Sequence, residues 1–411
     1  MSDGMRATTD DKPDTAGDLR IIVWIQALRA FLYGFGSVIL GSVLAAGGLS
    51  AAEVGGVFTA MLAGMALSSL AIALRGDRVP RRLLYVVLFV GMGVAGTVFA
   101  FTRSLPALVL VSLTGTLSVD PNESGPITSL EQAMIGEARE EERVRAFGRY
   151  NAAAFLAGSI GALAAGGPAA LRDVVPSLPA DQRFLLVFPA MAVACVLLAR
   201  RLSPAMEGAG RGGLPLRSPS RSRGTVTRLS ALFALDSFGG GFIVQSFVVF
   251  WFRRKYGAGP EVMGLVFFGA GLLQAASSIA AARIAGRIGL LNTMVFTHLP
   301  SNVLLAAVPF APTLGSAVAL LLSRFALSQM DVPARQAYVV TMVEPGERTA
   351  AAAYTNTARY VTRPLGPVTG GALMQHVALA GPFVAAGALK IVYDLALYGL
   401  FRRAKPPRIG R

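Results

Sequence analysis

Long apolar segments alternate with short polar connections along almost the whole chain. Each apolar segment is on the order of 20 residues long, which is the length at which an α-helix crosses the hydrocarbon core of a bilayer. A backbone in lipid must satisfy its own hydrogen bonds, so these segments predict transmembrane helices. The pattern contains twelve of them, at about residues 20–46, 52–74, 82–103, 106–133, 146–168, 183–201, 229–252, 260–282, 290–311, 314–341, 349–375 and 379–401.

Polar stretches divide this pattern into two groups of six. Residues 1–19 contain acids and proline but no apolar stretch, which predicts a disordered cytoplasmic tail and no signal peptide. Residues 203–228 are rich in Gly, Pro, Ser and Arg and predict a cytoplasmic linker. We therefore expect a six-helix half at 20–202, a second half at 229–403 and a cytoplasmic tail at 404–411.

Composition supports a membrane protein. The 411 residues are 54% hydrophobic and only 15% charged, with a mean hydropathy of +0.57, whereas soluble proteins carry about 25% charged residues. The single cysteine excludes disulfide frameworks and cysteine metal sites.

The net charge of +15 is interpreted through membrane topology and not through nucleic-acid binding, because the arginine clusters do not interleave with aromatic residues. Arginines concentrate in alternate connections, at 75–82, 200–228, 283–287 and 402–403, while the connections at 47–51, 312–313 and 376–378 have no Lys or Arg. This asymmetry predicts a multi-pass protein of the cell inner membrane with both termini in the cytoplasm.

The two halves repeat each other. When the first and seventh segments are aligned, Arg29 matches Asp236, and when the fifth and eleventh are aligned, Asn151 matches Asn356. Parallel repeats of six helices, related by an axis along the membrane normal, predict a transport pathway between the halves.

The connection after the second segment carries a motif at residues 73–82, with Asp77, Arg78 and the pair Arg81 and Arg82. Together with the twelve segments, the linker and the duplicated halves, this motif resembles the major facilitator superfamily over residues 20–403. The resemblance implies an all-α fold of two pseudo-symmetric six-helix halves, and a monomeric carrier without a cofactor. It also implies a cytoplasmic gate at Asp77 and Arg78.

Arg29 is the most distinctive charge inside an apolar segment. It shares a helix face with Gln26, Tyr33 and Ser37, and a polar face of this kind does not turn towards lipid. One interpretation is a cavity residue that binds substrate or pairs with Asp236, and the alternative is a structural ion pair. In the resembled family the first and seventh helices line the cavity.

Carboxylates inside the segments are candidates for proton coupling. Asp236 could bind a proton or form a static salt bridge. The fourth segment has Asp120, Glu123 and Glu131 around two prolines, so we expect it to be broken. These acids could carry protons or neutralise arginines, Arg29 among them.

Two further polar faces are predicted in the second half. They consist of Arg324, Ser328, Asp331 and Arg335 in the tenth segment and of Asn356, Arg359 and Arg363 in the eleventh. Residues 366–371 of the eleventh segment resemble the GPxxGG motif that exporters of the family carry in the fifth helix. Close glycine-mediated helix packing is the alternative interpretation.

Three more polar residues lie in or beside the apolar segments of the second half. Lys390 and Asp394 are one helical turn apart, which predicts that they pair with each other. For His298, a buried polar group with its hydrogen bonds satisfied is favoured over a pH switch.

These features predict a secondary active transporter that works by alternating access. The first hypothesis is proton-coupled export of a small organic solute or drug, and the alternative is an organic-anion or phosphate-ester carrier that uses the cavity arginines. The chain has no phosphate-binding loop, no metal-ligand spacing and no Ser-His-Asp set, so neither an enzyme nor an ATP-driven pump is expected. Its expected partners are the small-molecule substrate, protons and the lipid bilayer.

Overall fold

The computed structural model describes residues 16–75, 79–121, 125–136, 140–207 and 221–404. All regular secondary structure in these residues is helical, which confirms the predicted all-α class. The first half contains α1 (Ala16–Ala46), α2 (Ala51–Arg75), α3 (Arg81–Phe101), α4 (Leu105–Ser112), α5 (Pro126–Gly136), α6 (Glu140–Ala164), α7 (Gly167–Val174) and α8 (Val187–Ala199). The second half contains α9 (Arg223–Gly241), α10 (Gln245–Tyr256), α11 (Pro260–Ile288), α12 (Leu290–Ala307), α13 (Leu314–Ser328), α14 (Asp331–Thr341), α15 (Arg348–Thr362), α16 (Leu365–His376) and α17 (Gly381–Phe401).

Nine stretches of the described chain are long and apolar enough to cross a membrane. The other three predicted segments are helical but interrupted, as α4 with α5, α13 with α14 and α15 with α16. Proline contributes to these breaks: Pro126 begins α5 and Pro364 directly precedes α16. Proline lacks a backbone N–H and is tolerated where a helix begins. The architecture is therefore consistent with twelve membrane segments.

Two helices begin earlier than hydropathy predicts. The first helix starts at Ala16, and Asp18 within it accepts hydrogen bonds from the backbone N–H (2.8 Å) and the hydroxyl of Ser203. The seventh segment starts at Arg223 instead of 229. Hydropathy marks only the apolar part of a helix, whereas polar residues continue the helix beyond it.

The two halves meet on the side away from the linker, which we call the far side; the opposite side, where α8 ends and α9 begins, is the linker side. The most extensive contacts between the halves are made there by three helix pairs: α1 with α10, α2 with α16 and α6 with α11. A Cβ at Gly55 would lie 2.3 Å from the carbonyl oxygen of Pro367, and a Cβ at Gly371 would lie 2.3 Å from that of Ala51. Backbone meets backbone here, which supports the packing interpretation of residues 366–371.

On the linker side, the helices of the described chain pack within their own half. The helix α5 packs against α2, α3 and α6, and the helices α9 and α14 pack against neighbours of the second half. Every side-chain hydrogen bond between described residues of opposite halves lies at mid-depth or on the far side. The described chain is thus closed on the far side and open towards the linker side.

Candidate functional site

The Arg29 side chain is directed into its own half. Its Nη2 lies 2.5 Å from Glu131 Oε2 and 3.1 Å from the hydroxyl of Tyr150, and it also donates to Gln26 Oε1. Arg29 pairs with Glu131, so the predicted pairing with Asp236 is wrong. The physical reason is that α1 packs on α6 at this depth, which places the Arg29 side chain against Glu131 of α5 and Tyr150 of α6, within its own half.

Glu131 is fully buried and fully hydrogen bonded. Its Oε1 accepts a hydrogen bond from Tyr85 at 3.0 Å and its Oε2 accepts one from Tyr150 at 2.5 Å. Tyr33 places its ring 5.4 Å from the Arg29 guanidinium and donates its hydroxyl to the carbonyl of Thr116 at 2.9 Å. These bonds join α1, α3, α5 and α6 in one network. Such an enclosed network supports the structural interpretation of Arg29.

Asp236 is the centre of a second buried network. Its Oδ1 accepts a hydrogen bond from Lys390 at 2.6 Å, and its Oδ2 lies 3.3 Å from Arg335 Nη1. The same Arg335 nitrogen lies 3.1 Å from Asp331. Two cations therefore compensate Asp236, which supports the static salt bridge over the proton carrier. Lys390 bonds to Asp236 and not to Asp394, so the predicted pair within the last helix is wrong.

Asp394 has partners on α12 instead. Its Oδ1 lies 2.9 Å from His298 Nδ1, and its Oδ2 accepts a hydrogen bond from Asn302 at 2.9 Å. Sequence reasoning missed this contact. The available signal was that His298 and Asn302 are one helical turn apart, as are Lys390 and Asp394, which places two polar pairs on two apolar helices.

Asp120 connects the two halves. It lies in the non-helical chain between α4 and α5, in agreement with the predicted break of the fourth segment. Its Oδ2 is 2.6 Å from Arg363 Nη2, and its Oδ1 accepts the backbone N–H of Gln245 at 2.7 Å. The side-chain amide of Gln245 donates to the hydroxyl of Ser37 at 2.8 Å. One acid of the fourth segment thus neutralises an arginine of the other half.

Arg324 and Arg359 differ from the other charged residues of this region. Both are partly buried, and among the described residues neither lies within 4.0 Å of a carboxylate oxygen. The Nε atoms of both arginines are buried without a hydrogen-bond partner. The hydroxyl of Ser328 is likewise buried without a partner. Asn356 is exposed. Two arginines therefore have no ion pair within the part of the chain that the structure describes.

The predicted polar face of the tenth segment is divided. The helix is interrupted at residues 329–330, with Arg324 and Ser328 before the break and Asp331 and Arg335 after it. The interruption leaves the two pairs on separate helices, so they do not form one continuous stripe.

Three predicted site residues cannot be placed. Asp77, Arg78 and Glu123 lie outside the described residues, and so the gate motif has no structural account. Among the described residues, no group of three or more His, Cys, Asp or Glu side chains is arranged to hold a metal ion.

A cleft of about 510 Å³ lies between α1 and α6, nearer the linker side than Arg29. Three arginines line it, together with an aromatic ring: Arg20, Arg145, Arg149 and Trp24. This cleft adds positive charge to the linker side of the first half.

The chain matches a family model and several solved structures. The model for the Major Facilitator Superfamily matches residues 23–323 and 229–411. An uncharacterized membrane protein of Saccharomyces cerevisiae is 24% identical over 420 residues, which cover 93% of this chain and 94% of that protein.

The fold is shared with transporters of solved structure. A bacterial homologue of the human lysosomal transporter Spinster, in an inward-facing and unoccupied conformation, has a TM-score of 0.70 at 16% identity over 96% of this chain and 99% of that one. The nucleoside transporter NupG has a TM-score of 0.73 at 14% identity over 93% and 99%. The xylose transporter XylE from E. coli has a TM-score of 0.70 at 14% identity over 96% and 98%. The chain thus belongs to the Major Facilitator Superfamily and is a multi-pass membrane transporter, not an enzyme.

Proposed function

We propose that this protein is a secondary active transporter of small organic anions. The observation that carries this proposal is the pair Arg324 and Arg359, which have no carboxylate within 4.0 Å among the described residues and whose Nε atoms are buried without a partner. Burying a cation without a counter-ion is costly, and a bound anion removes that cost. Guanidinium groups bind carboxylates and phosphates through two parallel hydrogen bonds.

The electrostatic surroundings of Arg359 favour an anion. Its strongest electrostatic neighbour is Arg335, and a third cation, Arg363, also acts on it, while Asp236 and Asp331 act on it with the opposite sign from beyond 4.0 Å. The positive charges of Arg335, Arg359 and Arg363 repel one another. A substrate carboxylate or phosphate beside Arg359 reduces this repulsion and so lowers the electrostatic energy of the three arginines. Arg324 is surrounded differently, with Asp120, Asp236 and Asp331 as its electrostatic neighbours.

This proposal selects the alternative among the two hypotheses drawn from the sequence. A carrier for neutral or cationic drugs gains nothing from arginines without counter-ions, whereas an anion carrier needs them. The arginine-lined cleft on the linker side supports the same choice, since positive potential raises the local concentration of anions.

We further propose that the protein lies in the cell inner membrane, with its linker side and both termini facing the cytoplasm. The arginine-rich connections support this orientation. The pathway lies between the two halves of one chain, which supports a monomeric carrier. The described conformation is then the inward-open state of the alternating-access cycle.

Thermal unfolding of the purified full-length protein tests the substrate class. We expect benzoate, succinate or glycerol 3-phosphate to raise the unfolding temperature, while maltose and tetraphenylphosphonium leave it unchanged. A ligand at a hundredfold its dissociation constant stabilises the folded state by about 2.7 kcal/mol. Arg359→Gln and Arg324→Gln should each remove the effect of the anions.

Arg103→Gln is the matched control, because Arg103 is exposed in the connection before α4 and bonds only to Gln182 among the described side chains. The control should retain the full anion effect. Stabilisation by tetraphenylphosphonium in all variants, with no effect of any anion, contradicts the proposal and favours drug export.

A further inference from the structure

His298 lies between two buried carboxylates. Its Nδ1 is 2.9 Å from Asp394 Oδ1, and its Nε2 is 3.9 Å from Asp236 Oδ1. We infer that His298 and Asp394 together form the proton-binding site through which this carrier is coupled to the proton gradient. This inference rests on the proposed transport function, and it places the proton on α12 and α17 and not on the acids that the sequence singled out.

The carboxylate of Asp394 is buried without a close Lys or Arg among the described residues. This side chain is 0% exposed, and among the described residues its hydrogen-bond partners are His298 and Asn302, with no Lys or Arg within 4.0 Å. A fully buried carboxylate without a cation is strongly disfavoured. A proton on His298, which gives an imidazolium beside the carboxylate, compensates the charge of Asp394.

The imidazole ring of His298 is oriented between two carboxylates. Both ring nitrogens face carboxylate oxygens, Nδ1 towards Asp394 and Nε2 towards Asp236. A doubly protonated ring donates to Asp394 and directs its second N–H towards Asp236 at ion-pair distance, whereas a neutral ring presents one lone pair to a negative oxygen. The geometry therefore suits the gain and loss of a proton at His298.

Charged and titratable groups from every neighbouring element surround this site. They are Asp394, Lys390 and Tyr393 on α17, Asp236 on α9, and Asp331 and Arg335 on α14, while α13 contributes the backbone carbonyl of Arg324, which accepts a hydrogen bond from Ser301. Lys390 and Arg335 both bind Asp236, so they determine how much negative charge Asp236 presents to His298. The field at His298 thus depends on contacts that can change during transport.

Arg335 provides the connection to the substrate. Its Nη1 is shared between Asp236 (3.3 Å) and Asp331 (3.1 Å), and it is the strongest electrostatic neighbour of Arg359. An anion at Arg359 attracts Arg335 and weakens its hold on Asp236, which then favours the protonated imidazole. Because such coupling is reciprocal, the proton also strengthens binding of the anion. Proton and anion then travel together, which makes the carrier a symporter that accumulates the anion inside.

Two of the acids that the sequence suggested as proton carriers have cations of their own, and the third, Glu123, lies outside the described residues. Asp236 binds Lys390 and Arg335, and Asp120 binds Arg363 and the N–H of Gln245. A carboxylate that already has a close cation stays ionised and carries no proton at neutral pH. Within the described ranges Asp394 has no Lys or Arg at such a distance, and this difference selects the pair of His298 and Asp394.

The chain offers a direct test, since it contains only two histidines. The second, His376, is exposed at the end of α16, and His376→Gln leaves His298 as the sole histidine. We would label that full-length variant with ¹⁵N-histidine and record the imidazole nitrogen shifts from pH 5 to pH 9. We expect one reversible transition between the charged and the neutral ring.

Asp394→Asn in the same background removes one of the two flanking carboxylates. We expect the midpoint of the transition to fall by about one pH unit or more, as for the loss of a close opposite charge. Asp181→Asn, which removes an acid near the far side of the first half, should leave the midpoint unchanged.

The inference is overturned by a ring that stays charged or stays neutral over the whole range. It is also overturned by a midpoint near 6.5 that Asp394→Asn does not move, which is the behaviour of an isolated histidine. Titration of the His376→Gln variant alone shows whether the ring of His298 changes charge. This result therefore does not depend on folding of the Asp394→Asn variant. Anion binding is measured separately by thermal unfolding, and thus the inference can fail while the proposed substrate class stands.

Discussion

The Arg363 guanidinium lies 2.6 Å from the carboxylate of Asp120, so one ion pair joins the two halves of the transporter at mid-depth. The two residues are 243 positions apart in the chain. Asp120 also accepts the N–H of Gln245 at the beginning of α10. A non-helical stretch of the first half thereby holds two elements of the second half and stabilises the conformation that is closed on the far side.

Removal of this ion pair should open the far side. We expect Asp120→Asn to add a population with longer distances between spin labels at Leu49→Cys and Ala378→Cys, which lie in far-side connections of opposite halves. Double electron–electron resonance in a Cys195→Ala background measures the distances. Asp181→Asn removes a similarly exposed ion pair with Arg172 inside the first half, and it should leave the distance distribution unchanged. An unchanged distribution in Asp120→Asn would show that the ion pair does not hold the halves.

The close packing between α2 and α16 should be sensitive to the size of the side chain at position 55. Gly55→Ala places a methyl group 2.3 Å from the carbonyl oxygen of Pro367 and should destabilise the far-side contact by roughly 1 to 3 kcal/mol. Gly56→Ala is the control, because a Cβ at the neighbouring position has nothing within 4 Å. Both changes raise helix propensity alike, so thermal unfolding of the two variants isolates the steric effect. Equal stability of the two variants would contradict the predicted close approach.

The ion pair of Arg29 and Glu131 should act on stability and not on substrate binding. Glu131→Gln leaves a buried guanidinium without its counter-ion and should cost on the order of 3 to 5 kcal/mol, measured as a loss of thermal stability. Tyr85→Phe removes one hydrogen bond to the same carboxylate and should cost only about 1 kcal/mol. Loss of anion stabilisation in a folded Arg29→Ala variant would instead place Arg29 in the substrate site.

The geometry of the guanidinium at Arg359 should matter as well as its charge. Arg359→Lys retains a positive charge but cannot form two parallel hydrogen bonds, so we expect the affinity for succinate to fall by roughly tenfold. Arg359→Gln should abolish binding. Isothermal titration calorimetry of the two variants and of the parent protein checks the order. Equal affinities in the parent and the lysine variant would indicate simple charge attraction.

Substitution of His298 should separate transport from the proton gradient. In proteoliposomes, His298→Gln should lose accumulation of ¹⁴C-succinate driven by an inward proton gradient, while exchange of labelled for unlabelled succinate continues. His376→Gln should retain both activities. Gradient-driven accumulation in His298→Gln would remove His298 from the coupling path.

The sequence determined much of the fold because hydropathy is a local property of the chain. Apolar segments, the polar linker and the arginine-rich connections each identify themselves without knowledge of their neighbours, and they predicted the helical class and the transporter family. The prolines near residues 121–126 likewise predicted the break of the fourth segment, which the structure has between α4 and α5.

Only the tertiary structure decided which charges meet. Arg29 finds Glu131 at a separation of 102 residues and Asp236 finds Lys390 at 154, while the sequence repeat had suggested Arg29 with Asp236. The rotation of each helix about its axis and the packing of its neighbours decide such contacts, and neither is encoded in the local pattern of residues. The same physics left Arg324 and Arg359 without a carboxylate among the described residues and placed His298 between two carboxylates. These are the features on which the proposed substrate and the proposed proton site depend.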